Sequence, residues 1–217
     1  MLVRYFMSTN VLTLSPEQKC LEAFHYLKKH HIRRAPVVYE NNVVGIVSEM
    51  DFYRVLPQVF RQADQEAGDA GVDIPVKHVM TTNIQVLSPN DHLEMAARLM
   101  LKHEIGGIPV LKEKHLVGLI TESDIFRAMW SILSHKTSHR ILFIDQGPDT
   151  NKGPNDYIAL CFKHHCRVNT FISYPEADGA TIHYLCVQGT GVDNLINDLW
   201  AHSCEVIIVE RYNDIDS

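Results

Sequence analysis

Residues 3 to 54 align with residues 76 to 127 at a constant offset of 73 without a gap, and 19 of the 52 paired positions are identical. Self-similarity over such a span means one supersecondary unit used twice, each copy covering the apolar face that the other cannot bury alone. The identities fall where local geometry is decided. They include Met7 and Met80, Thr9-Asn10 and Thr82-Asn83, Leu14-Ser15-Pro16 and Leu87-Ser88-Pro89, and His30 and His103. Pro36-Val37 and Pro109-Val110, Gly45 and Gly118, Glu49 and Glu122, Asp51 and Asp124, and Arg54 and Arg127 complete the set that matters here.

Each copy reads as a short strand, a helix, two strands and a second helix. Ser15-Pro16-Glu17-Gln18 predicts a helix start, with serine as cap, proline at the first helical position and glutamine at the third. Cys20, Ala23, Phe24 and Leu27 then recur at helical spacing, as do Leu93, Ala96, Ala97 and Met100, so each helix buries one face. Residues 36–39 and 43–47 are β-branched runs joined at Asn41-Asn42, which predicts a hairpin, and residues 109–111 and 116–120 repeat it.

Two elements carry the chemistry. In Gly45-Ile46-Val47-Ser48-Glu49-Met50-Asp51 and Gly118-Leu119-Ile120-Thr121-Glu122-Ser123-Asp124, a strand glycine would let a ligand approach the backbone, and the helix that follows would offer its unpaired N–H groups to an anion. Three residues after Ser48 and Thr121, Asp51 and Asp124 supply carboxylate oxygens of the kind that hold a ribose diol. The same spacing also suits a plain helix cap with an acid in the first turn. These elements, with the Met-Ser/Thr-Thr-Asn start and the Pro-Val strand, resemble the CBS domain over about 125 residues, a span reached through the repeat.

The resemblance implies an α+β fold in which two β-α-β-β-α repeats pair into one module. It implies clefts for AMP, ADP, ATP or a related adenosyl compound as regulatory ligand, with no catalytic cofactor. In that pattern the clefts are built crosswise. One joins Leu119, Thr121 and Asp124 to Thr9, Val11, Arg33, Arg34, Ala35 and Pro36. The other joins Ile46, Ser48 and Asp51 to Thr82, Ile84, Gly107, Ile108 and Pro109. Because Arg33-Arg34 is replaced by Gly106-Gly107 in the second copy, the first cleft is expected to be the basic one and to take phosphates.

Residues 139–144, 156–165, 168–174, 181–187, 192–201 and 205–209 read as β-α-β-β-α-β, an order that suggests a ferredoxin-like unit. By element order this unit resembles an ACT domain, and a CBS pair followed by an ACT-like domain resembles acetoin-utilisation regulatory proteins of the AcuB type. Gly153-Pro154 stands in a longer loop than the Pro-Gly step of that family. The expected boundaries are repeat 1 at 1–60, a polar linker at 61–75, repeat 2 at 76–134 and the ACT-like unit at 138–213.

A net charge of −6 argues against a general nucleic-acid binder. No apolar run approaches the roughly 18 residues that span a bilayer, and residues 1–10 lack a signal-peptide core, so a cytoplasmic protein with no membrane partner is expected. Five cysteines without a C-x-x-C spacing read as reduced core residues. The group Cys161, His164, His165, Cys166, His202 and Cys204 lacks the paired spacing of a zinc site, so no metal is expected. His30 and His103 fall near helix C-termini, where they can cap or meet a phosphate. No P-loop, G-x-S-x-G or H-E-x-x-H occurs, so no catalytic residues are assigned. The reading is a regulatory sensor and not an enzyme: a homodimer acting through its third unit or an unidentified protein target. A ligand-free oligomerisation scaffold and a cryptic enzyme are the alternatives.

Overall fold

The apolar stripes become the buried faces of α1 (Cys20–Lys29) and α3 (Leu93–His103), where Cys20, Ala23, Leu27, Leu93, Ala96 and Met100 are inside. The computed structural model describes residues 1–55, 74–134, 138–145, 153–175 and 180–212, which fall into two units, residues 1–128 and residues 129–217. Most of the expected linker and the loop between the first strand and helix of the second unit lie outside the described residues.

In the first repeat, α1 leads into β1 (Arg34–Tyr39), β2 (Asn42–Ser48) and α2, described over residues 49–55. In the second, α3 leads into β3 (Gly107–Lys112), β4 (His115–Thr121) and α4 (Glu122–Leu133). Both hairpins are antiparallel with a bulge at the same place, after Val37 and after Val110. Val37, Val47, Ile108, Val110 and Ile120 face the helices and are fully or almost fully buried. Two residues make each turn, Glu40-Asn41 and Glu113-Lys114, all with positive φ. Such turns match the twist of the flanking strands. The turn thus sits one residue before the Asn41-Asn42 position read from the sequence, because Tyr39 pairs with Asn42.

Two local expectations are corrected. The helices start at Cys20 and Leu93, not after Ser15 and Ser88, whose segments form turns closed by Gln18 N–H to Ser15 O and Asp91 N–H to Ser88 O. The first helical N–H groups find partners outside their own copy instead: Cys20 N–H donates to Ile74 O, just before the second copy, and Leu93 N–H to Met1 O, at the head of the first, both at 2.9 Å. Such bonds satisfy donors that a helix start otherwise leaves unpaired. The expected first strand of each copy shrinks to single bridges. Leu14 pairs with Val37 and Leu87 with Val110 within a repeat, while Ser8 pairs with Leu119 and Thr81 with Ile46 across repeats.

In the second unit β5 (Ser138–Asp145), α5 (Pro154–Lys163), β6 (Cys166–Pro175), β7 (Thr181–Gly189), α6 (Val192–Ala201) and β8 (Cys204–Tyr212) follow the expected order. The four strands form an antiparallel sheet in the order β6-β7-β5-β8. One face packs Ile141, Phe143, Leu185 and Val187 against Tyr157, Cys161, Leu195 and Leu199 of the helices. Gly153 and Pro154 open α5, where Asp156 accepts the Gly153 N–H at 2.8 Å. Asp198 ties the helices together, its Oδ2 lying 2.7 Å from both Lys163 Nζ and His164 Nε2.

Candidate functional site

Each glycine of the repeated motif sits in the second strand of a hairpin, and the other repeat's leading segment closes on it. A methyl group on Gly45 would stand 2.8 Å from Met80 Sδ and 2.9 Å from Thr81 O. One on Gly118 would strike Met7 Sδ and stand 3.1 Å from Ser8 O. The close approach expected for a ligand is therefore made by protein backbone, and the bridges Ile46–Thr81 and Ser8–Leu119 lie there. This crossing brings the end of each hairpin to the pre-proline loop of the other copy.

The two Ser/Thr–Asp pairs adopt the same geometry. Asp51 Oδ2 accepts the Ser48 N–H at 2.8 Å and the Ser48 hydroxyl at 2.7 Å, and Asp124 Oδ2 accepts the same two groups of Thr121 at the same distances. The acid half of the capping pattern is thus realised on one oxygen, with the Ser48 and Thr121 hydroxyls donating to it. The other, Oδ1, faces Arg54 Nη1 or Arg127 Nη2 at 3.4 Å. The pairs differ in exposure: the Asp51 side chain is 18% accessible and that of Asp124 only 3%.

Two cavities lie beside these pairs, both within the first unit. The larger, about 520 Å³, is lined by Ile46, Val47, Ser48, Asp51 and Arg54 of the first copy and by Thr81, Asn83, Ile84, Gln85, residues 103–107 and Pro109 of the second, with Arg34. The smaller, about 280 Å³, is lined by Leu119, Thr121, Asp124 and Arg127, by Ser8, Asn10, Val11 and Leu12, and by residues 31–34, with Gly106, Glu122 and Ser123. Small-molecule sites span about 300–1,000 Å³, so the larger cavity is within that range and the smaller just under it.

Of the residues singled out in the sequence, Val11, Arg33, Arg34, Leu119, Thr121 and Asp124 meet in one cavity, and Ile46, Ser48, Asp51, Ile84, Gly107 and Pro109 in the other. Thr9 and Thr82 are exposed and line neither, because the leading segments turn Ser8 and Asn10, or Thr81 and Asn83, to the cavities. Ala35, Pro36 and Ile108 are buried and line neither; for the pre-proline residues Ala35 and Ile108, strand alternation points the side chain into the core.

The expected charge asymmetry is reduced, not removed: Arg33, Arg34 and Arg127 line the smaller cavity, against Arg34 and Arg54 in the larger. Arg34 lines both cavities, lying against Gly106 and Gly107, so of Arg33 and Arg34 only the former belongs to one cavity alone. Arg33 Nη2 donates to Ser123 Oγ at 3.0 Å. Burial lowers the pKa of Arg34, opposed by Glu122 and assisted by Arg33; a guanidinium nonetheless stays charged. His31, with positive φ, lines the smaller cavity, and Glu104, its counterpart, the larger. His103 lines the larger cavity, whereas His30 caps the end of α1 and lines neither. Sequence periodicity gave no sign of His31 or of Arg34 reaching across, because both depend on where one copy lies against the other.

Elsewhere the three cysteines singled out in the second unit are committed to packing, while His165 is exposed. Cys161, Cys166 and Cys204 are buried among apolar side chains, and His164 and His202 contact Asp198. Among the described residues no group of three or more His, Cys, Asp or Glu is placed to hold a metal ion, and no helix is long and apolar enough to cross a membrane.

A family model described as "CBS domain" matches residues 3–58 and 76–131, just over half of the chain. Solved structures are similar over about three fifths of the chain. The CBS domain pair of protein MJ0100, in complex with 5′-methylthioadenosine and S-adenosyl-L-methionine, is 26% identical with a TM-score of 0.52, covering 60% of this chain and 97% of that one. AcuB from Vibrio cholerae is 30% identical with a TM-score of 0.51, covering 61% and 93%. CBSX2 in complex with AMP is 25% identical with a TM-score of 0.51, covering 60% and 97%.

Proposed function

The chain belongs to the CBS-domain family, and from that premise we propose that it is a non-catalytic regulatory sensor that binds an adenosyl ligand in the clefts between its two repeats. The observation that carries this reading is the crossed construction. Each cleft takes its Ser/Thr–Asp pair from one copy and its wall from the other, so a ligand bound there contacts both and biases their relative position. In the larger cleft Ile46, Ile84 and Pro109 offer apolar surface for the adenine. Asp51 Oδ1 receives a ribose hydroxyl, and Arg34 with His103 serves a phosphate. The adenosyl compounds bound by the CBS pair of MJ0100 and by CBSX2 support the ligand class.

In the same reading residues 61–75 link the repeats, and the unit that begins at residue 138 is ACT-like, consistent with its β-α-β-β-α-β order and β6-β7-β5-β8 sheet. It, or a protein partner, receives the signal in the cytoplasm. Met50, Tyr53 and Phe126, on the equivalent helices α2 and α4, are 61%, 47% and 70% exposed and supply an apolar surface for a homodimer. Calorimetry on the full chain with AMP, ATP, S-adenosylmethionine and methylthioadenosine tests the ligand class. Saturable binding of at least one is expected, and silence with all four up to millimolar concentration overturns it.

A further inference from the structure

Arg34 has no counterpart. The equivalent position in the second copy is Gly107, and the residue before it, Gly106, is where the Arg34 side chain lies. A Cβ on Gly106 would stand 2.6 Å from Arg34 Cζ and closer still to both Nη atoms, and one on Gly107 would stand 2.7 Å from Arg34 Cδ. The two glycines are thus a seat for a single guanidinium reached from the other repeat. Arg34 and Gly106 line both cavities. In the larger one the other arginine, Arg54, already faces Asp51 at 3.4 Å; in the smaller one Arg127 faces Asp124 at 3.4 Å and Arg33 donates to Ser123.

Resting on the adenosyl reading above, we propose that Arg34 is a shared phosphate-recognition residue for which the two clefts compete, so that a phosphorylated ligand in one cleft weakens phosphate binding in the other. One planar fork makes its bidentate contact with one phosphate at a time. Once it has turned to the first anion, the second cleft has lost those donors and faces an added negative charge nearby, which partial burial screens poorly. A neutral nucleoside does not draw on Arg34 and leaves the clefts independent. Phosphorylated ligands therefore fill the two clefts in unequal steps, the second weaker than the first, and neutral ones fill them independently.

Methyl NMR on the full chain separates the clefts, since Ile46 lines only the larger and Leu119 only the smaller. AMP and adenosine are titrated into the wild type and into variants that block one cleft with an indole, Ile84→Trp in the larger and Val11→Trp in the smaller. Asp51→Ala provides a second way to weaken binding in the larger cleft without filling it. Blocking the cleft that fills first is expected to tighten AMP binding in the other at least tenfold relative to its value as the second event. Adenosine binding is expected not to change. Adding Arg34→Ala, or displacing the guanidinium with Gly106→Ala, is expected to abolish the difference. Equal AMP midpoints with the other cleft open or blocked, or a difference that survives both substitutions, overturn the sharing and leave the adenosyl reading standing. If neither methyl responds to AMP or adenosine, the adenosyl reading falls and the sharing with it.

Discussion

Asp124 accepts the backbone N–H and the hydroxyl of Thr121 on one oxygen, Oδ2, at 2.8 and 2.7 Å, and Asp51 does the same for Ser48. The carboxylate closes the helix start and still presents a second oxygen, so in the proposed function stability and binding would draw on different atoms of one residue. Asp124, 3% accessible, is then expected to matter more for stability, and Asp51, 18% accessible, more for binding.

The first prediction follows from that division. Asp51→Ala is expected to weaken adenosine binding in the larger cleft about tenfold, the value of a charge-assisted hydrogen bond. Asp124→Ala is expected to lower the unfolding free energy by about 1–2 kcal/mol through loss of the cap. Calorimetry and urea unfolding measure the two. Unchanged adenosine affinity in Asp51→Ala removes the ribose role.

Gly45→Ala places a methyl 2.9 Å from Thr81 O, a backbone atom held in the bridge to Ile46. Backbone cannot step aside as a side chain can, so a loss of about 1–3 kcal/mol is expected, as for other overpacked sites. Gly118→Ala meets the Met7 side chain first and Ser8 O only at 3.1 Å, so it is expected to cost less than Gly45→Ala. Denaturant midpoints equal to wild type in both would show that the repeats do not close on these glycines.

His183 is 7% exposed among Phe143, Tyr157 and Phe171, with Nδ1 2.8 Å from Ser173 Oγ. Burial lowers its pKa, with Asp145 opposing. The unfolded chain then binds more protons than the folded one as pH falls through the usual histidine value of about 6.5, so stability declines in that direction and rises toward neutrality. His183→Gln is expected to flatten the dependence of unfolding free energy on pH between 7 and 5. An unchanged slope would assign the acid sensitivity to another group.

All five cysteines are buried thiols, and burial pushes Cys20 up to about 11 and Cys161 up to about 12. A thiol attacks as its thiolate, so the native protein is expected to react slowly with a disulfide reagent at pH 8 and to titrate five thiols once unfolded. Rapid reaction of any cysteine under native conditions would place it outside the core described.

The sequence alone determined the duplication, the buried faces of α1 and α3, the two hairpins and the order of elements in the second unit. These are written in period and composition, which act over neighbouring residues. It also located Ser48–Asp51 and Thr121–Asp124, since a cap at fixed spacing is a local device. The tertiary structure decided what lies one copy away. Helices begin where carbonyls from outside their own copy meet them, at Cys20 and Leu93, and not at the serine caps. Gly45 and Gly118 admit protein backbone, and Gly106 and Gly107 admit Arg34. The physical reason is common to all three: a missing side chain or an unpaired N–H records only that something comes close. What comes close is set by the packing of one repeat on the other, and no periodicity within either repeat encodes it.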